Sequence, residues 1–159
     1  MRKTTLAAAI MACASIPASA AEPNGDWFTA EKTAVVRVAP CGAQLCGNIA
    51  WTAKPGFDSH NPDPAKRTRS VLGMQIFSMK PAGPNRWEGD IYNGQDGKTY
   101  SGHIALQSAN VLKIEGCVMG FLCGGESWAR AKCEETHPPA GVAGAASKPT
   151  LTACRAVAP

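Results

Sequence analysis

The feature that most restricts what this chain can fold into is a two-residue apolar rhythm. It returns in one short run after another between Gly25 and Ala131, and no stretch keeps a helical apolar period over several turns. The clearest run is Arg86 to Tyr92. There Trp87, Gly89 and Ile91 share one face and Arg86, Glu88 and Asp90 take the other, as a strand does with one face on a core and one in water. Tyr100, Gly102, Ile104 and Leu106 repeat the pattern, as do Leu112, Ile114 and Gly116 against Lys113 and Glu115. Strands are expected at Asp26 to Thr29, Thr33 to Ala39, Gln44 to Thr52, Met74 to Met79, Arg86 to Tyr92, Thr99 to Gln107, Val111 to Val118 and Glu126 to Lys132, so the class is all-β. Glycines on the inward faces weaken a flat strand but suit the tight coiling of a closing barrel. Asp96-Gly97 is a turn signal between the fifth and sixth strands. Eight strands joined in sequence by short turns close into an up-and-down barrel, which removes exposed edges. A β-sandwich is the alternative, because its Greek keys need a long crossover and Ala53 to Gly73 is an internal connection long enough to supply one.

The amino terminus has the pattern of an export signal. Arg2 and Lys3 precede an apolar run from Leu6 to Ile16, and Ala18-Ser19-Ala20 offers the small residues at which signal peptidase cuts. The run is broken by Pro17 and falls short of the roughly 20 apolar residues a transmembrane helix needs. Residues 1–20 are therefore expected to be a signal peptide, 21–132 a single barrel domain, and 133–159 a Pro/Ala-rich tail, with a periplasmic or secreted location. Loss of Arg2 and Lys3 lowers the formal charge from +4 to +2. Such a near-neutral chain, with no dense Lys/Arg cluster, is a poor nucleic-acid binder.

Seven cysteines less Cys13 in the leader leave an even set for an oxidising compartment. Their grouping points to local pairs: Cys41 with Cys46, Cys117 with Cys123, and Cys133 with Cys154. The first two pairs flank hairpins that an up-and-down barrel puts at opposite ends, too far apart for bridges between them. Their spacings are wider than those of common zinc sites, and no metal or cofactor is expected. Asp58-Ser59-His60-Asn61-Pro62-Asp63 offers closely spaced oxygens, but Asn-Pro and Asp-Pro are ordinary turn formers. Arg67 and Arg69, later in the same loop, have the fork suited to a carboxylate or phosphate. His60, His103 and His137 fall in a loop, on an outward strand position and in the tail, and no nucleophile motif accompanies them, so no enzyme is expected.

Gly25-Asp26-Trp27 at the first strand and Arg130 at the last resemble the lipocalin signature, in which the Trp closes the barrel bottom and the Arg packs across its ring. A longer set of motifs is more specific. Cys41-x-x-x-Leu45-Cys46-Gly47, Asn61-Pro62-Asp63-Pro64 with Arg67-x-Arg69, Trp87-x-Gly89-x-Ile91-Tyr92-Asn93, Asp96-Gly97-Lys98-Thr99-Tyr100, and Gly116-Cys117 with Leu122-Cys123 and Trp128-x-Arg130 resemble the bacterial exported family named domain of unknown function 2147. The resemblance spans Gly25 to Arg130 and implies a lipocalin-like barrel in the periplasm or outside the cell. Gly94 departs from it, since the family tends to carry proline there, and Cys133 and Cys154 lie outside the family core.

An eight-stranded barrel has room for one small ligand, so the leading expectation is a carrier of a hydrophobic or amphipathic molecule. Inward parity nominates Trp51, Trp87, Ile91, Tyr100, Ile104 and Leu112 as its wall, with Arg67 and Arg69 as headgroup contacts at the mouth. The same side chains also suit a packed barrel that fills itself. The alternative function is a protein-binding module, a protease inhibitor or an envelope scaffold, that uses the Ala53 to Gly73 loop.

Overall fold

The computed structural model describes residues 22–136 and 150–157; the expected leader with its cleavage site, Cys13 and His137 lie outside them. Nine strands follow one another: β1 (Gly25–Phe28), β2 (Ala34–Cys41), β3 (Gln44–Thr52), β4 (Gln75–Gly83), β5 (Arg86–Asn93), β6 (Lys98–Ser108), β7 (Val111–Val118), β8 (Leu122–Thr136) and β9 (Thr150–Ala156). Each pairs antiparallel with the next, and β1 also pairs with β8. Strands β1 to β8 thus close into an up-and-down barrel. The 53–73 connection joins two strands that pair directly, β3 and β4, so it is an excursion and not a crossover, and the sandwich alternative falls.

Apolar residues fill the inside because strand alternation delivers them there. Trp27, Met79, Ile104 and Leu112 are fully buried, with Val36, Val38, Phe77 and Trp128 beside them. Burying each such aliphatic or aromatic side chain contributes about 1.5–3 kcal/mol. Outside, Arg37 pairs with Asp26 at 2.7 Å and Lys113 with Glu115 at 2.7 Å. A polar exterior around an apolar interior is the inverse of a lipid-spanning barrel. Among the described residues, no helix is long and apolar enough to cross a membrane.

One end of the barrel, its base, carries the turns after β2, β4 and β6 and is closed by Trp27 and Arg130. The guanidinium lies 4.2 Å from the Trp27 ring centroid. It also donates to three carbonyls: Ala109 (2.6 Å), Asn24 (2.8 Å) and Glu22 (2.7 Å). The Trp27 indole N–H donates to the Pro23 carbonyl at 2.7 Å. Gly25, the third element of the signature, has φ 125°, and a Cβ there would come within 2.9 Å of the Arg130 guanidinium. Three disulfides form as grouped: Cys41–Cys46 at the base, Cys117–Cys123 at the opposite end, and Cys133–Cys154 between β8 and β9.

Gly89, Gly102, Gly116 and Gly124 stand opposite one another across β5, β6, β7 and β8, forming a continuous row. The strands coil closely here. A Cβ on Gly102 would lie 2.1 Å from the Glu115 carbonyl oxygen, where no side chain fits.

Two expectations need correction. Of the expected tail, which only a Cys133–Cys154 bridge was to tie down, residues 133–136 and 150–156 are strand: β8 runs on to Thr136 and β9 pairs with it, placing Cys133 directly opposite Cys154, while 137–149 lie outside the described residues. Trp51 does not face inward. The register steps from Val36 opposite Ile49 to Val35 opposite Trp51, so Ala50 is an extra residue, and a bulge of one residue reverses the faces beyond it. Trp51 therefore packs outside the barrel, edge-on to Phe28 with ring centroids 6.3 Å apart, in a second cluster with Val35, Ala131, Cys133 and Cys154.

Candidate functional site

The end opposite the base, the mouth, is built from the connections after β1, β3, β5 and β7. Its largest piece is the 53–73 loop. That loop is held by a buried carboxylate: Asp58, fully buried, accepts from the Tyr92 hydroxyl at 2.6 Å, Asn61 Nδ2 at 2.7 Å and Arg69 Nη2 at 2.6 Å. Asn61 Nδ2 also donates to the Tyr92 hydroxyl at 3.1 Å, and the Arg69 guanidinium sits 5.9 Å from the Tyr92 ring centroid. The Asp58 N–H donates to the Arg69 carbonyl at 2.9 Å, beside a bridge between Phe57 and Ser70 that closes the loop on itself. Burial pushes the Asp58 carboxyl up, but the hydrogen bonds from Tyr92, Asn61 and Arg69, with the Arg69 charge, outweigh it and hold the group below its ordinary value. Burial, and then the bond to Asp58, raise the Tyr92 phenol.

The loop also docks on the turn after β5. Gly97, at φ 71°, leaves its Cβ space to the His60 carbonyl oxygen, which would otherwise lie 1.8 Å away. Asp58 and Asp63 of the oxygen cluster noted in the sequence are thus spent on the loop's own framework and its tie to Tyr92 on β5. Asp58 takes three donors, while Asp63 accepts from the Ala65 N–H at 3.0 Å and caps a short 3-10 turn, Pro64–Lys66.

The sequence-nominated side chains separate into distinct places. Ile104 and Leu112 lie at full depth in the core, with Trp87 partly buried against them. Ile91 and Tyr100 oppose each other nearer the mouth and are half-buried; the Tyr100 hydroxyl donates to Asp96. Arg67 and Arg69 belong to the loop's own framework, since Arg67 Nε donates to the Asn61 carbonyl at 2.8 Å and Arg69 serves Asp58. His103 pairs with Glu115 at 2.8 Å on the outer face, remote from His60.

Two features were not read from the sequence. One is the seam beside β8: β1 has only four residues, so it joins β8 only at 129–131, and residues 122–127 pair with β7 alone. Glu126, inward by its pairing with Ile114, is exposed there and accepts from the Trp128 indole N–H. The other is the apolar character of the mouth. Phe57 and Leu72 on the long loop, and Val118, Met119, Phe121 and Leu122 on the β7–β8 hairpin, are all exposed. The uncharged run Val118-Met119-Gly120-Phe121-Leu122 between Cys117 and Cys123 is the signal the sequence carries for it.

No curated protein matches the chain. The fold is similar to a solved structure described as "Protein HP1028 from the human pathogen Helicobacter pylori belongs to the lipocalin family". That likeness has a TM-score of 0.61 and 24% identity, over 69% of this chain and 82% of that one, and it carries the fold alone. A family model described as "Uncharacterized protein conserved in bacteria (DUF2147)" matches residues 25–130. These residues comprise the barrel from Gly25 to the Arg130 clasp, with the Asp58 loop between, and the chain belongs to that bacterial family.

Proposed function

We propose that this protein is an exported, non-catalytic binding protein that takes a small apolar or amphipathic molecule at the mouth of its barrel. The observation that carries the reading is the gradient of packing along the barrel. Ile104 and Leu112 are sealed in the core, whereas Ile91 and Tyr100 are half-buried under a rim of exposed apolar side chains. Sites for such ligands are mostly apolar with a few placed polar groups, here the Tyr100 hydroxyl and the Glu126 carboxylate on the open seam. The lipocalin-like barrel supports the binding role, and among the described residues His60 sits in the mouth loop while His103 and its partner Glu115 lie on the outer face, away from the half-buried mouth wall. The leader-like amino terminus supports export to the periplasm or beyond.

Native mass spectrometry of the protein, purified from its host without detergent, tests the reading. The expected result is a co-purifying apolar or amphipathic molecule near one-to-one, depleted in an Ile91→Asp variant. A clean apo mass, with no uptake from a total lipid extract, would refute it. A second reading, a protein-binding module, is favoured by Phe57, 66% exposed on a loop that Asp58 holds in one shape. A partner captured in pull-downs and lost with Phe57→Ser would select it.

A further inference from the structure

We propose that the β7–β8 hairpin is a membrane-insertion tip that seats the mouth of the barrel on a lipid bilayer carrying anionic headgroups. This inference stands whatever molecule the barrel binds.

The tip concentrates apolar surface where a soluble chain ordinarily hides it. Met119 is 85% exposed, Phe121 77%, Leu122 67% and Val118 47%, four large apolar side chains within five consecutive residues. Exposed apolar residues scattered singly need no explanation, but a contiguous group marks an interaction site. From Cys117 to Gly125 the chain carries no charged side chain.

The backbone of the tip suits a lipid interface. Val118 pairs with Leu122 and Cys117 with Cys123, and the Phe121 N–H donates to the Val118 carbonyl. Met119 (φ 54°) and Gly120 (φ 77°) make the tight reversal, and the Cys117–Cys123 disulfide closes the ring. Polar backbone groups that are bonded within the hairpin need not be left bare in a medium that offers no partners. A closed ring has already lost the freedom that an open loop would lose on insertion.

Charge at the same end selects the surface. Ser101 pairs antiparallel with Cys117, so Lys98, three residues earlier at the start of β6, lies at the height of the tip. Lys32, Lys54, Lys66 and Arg67 stand on the other mouth connections, against Glu31, Asp63 and Asp96, while Arg69 and Asp58 cancel. The excess is positive and suits anionic lipid, whose surface attracts adjacent basic groups. A protein partner usually calls for polar donors among the apolar anchors. The tip offers only side chains that dissolve in acyl chains.

The test is flotation of the disulfide-bonded protein with vesicles of phosphatidylethanolamine and phosphatidylglycerol. It is paired with a Phe121→Trp variant read against brominated acyl chains. The native protein should float, Phe121→Trp should gain a blue-shifted emission quenched by bromine, and the Met119→Ser/Phe121→Ser variant should bind about tenfold or more weakly. Because these side chains are exposed, the double variant should keep the native thermal midpoint. Three results would each overturn the proposal: native protein that stays in the aqueous phase, a double variant that floats as well as the native chain, or an introduced tryptophan that bromine does not reach. If sedimentation instead shows a dimer that the double variant abolishes, the tip's occupant is a second copy of the chain.

Discussion

Asp58 shows how much of the mouth depends on one side chain. Its two oxygens gather Tyr92, Asn61 and Arg69, so replacing it strands three donors. Asp58→Ala should cost about 2–3 kcal/mol of unfolding free energy, read by denaturant titration, because hydrogen bonds to a charged group are among the stronger ones. The pH dependence has a definite sign. The folded carboxyl lies below its ordinary value of 3.8, so its contribution is complete above that value and is lost as pH falls through the depressed folded one. The stability gap between native protein and Asp58→Asn should therefore narrow only on acidification below about pH 4. A gap that is constant across that range would contradict the assignment. The sequence showed Asp58 as one of several loop oxygens but not as the fully buried carboxylate, because its partner Tyr92 is 34 residues away and on a different element. Trp51 was misread for a similar reason. Alternation counts residues, and the bulge at Ala50 inserts one that only the pairing with β2 reveals.

At the level of elements, the runs with large inward side chains were legible to within a few residues, β3 and β7 among them. The failures share a cause. Strand β8 begins at Leu122 and not at the expected Glu126, because Gly124 and Gly125 have no side chains to mark an alternation, and β9 is built largely of small residues whose alternation has little amplitude. The β8–β9 hairpin extends past the barrel's closing pairs, so its bridge should act locally. Cys133→Ser/Cys154→Ser is expected to raise amide exchange in β9 and in β8 beyond Ala131, while protection in β6 and β7 stays at the native level. The Cys117–Cys123 bridge closes only a short loop and should likewise contribute toward the low end of about 2–4 kcal/mol.

Over the whole molecule, closure was readable because Trp27 and Arg130 mark the two strands that meet, whereas the mouth was not, since its shape comes from contacts between loops. Arg130→Met would keep much of the stacking on Trp27 but release the Ala109, Asn24 and Glu22 carbonyls. It should lower the thermal midpoint and expose residues 22–24 to proteolysis, without changing association with vesicles if the tip alone carries it. The row Gly89, Gly102, Gly116, Gly124 has a mechanical consequence. Along that line the wall has no side chains of its own, and what covers it is borrowed from neighbours, Met79 over Gly89, Ile91 over Gly102 and Tyr100 over Gly116, so it should bend more easily there than along rows whose own side chains interlock. A load applied at the mouth will fold the sheet there first, as paper folds at a crease. The turn after β5 and the stapled tip, both outboard of the crease, would then swing as one flap, leaving the clasped base undisturbed.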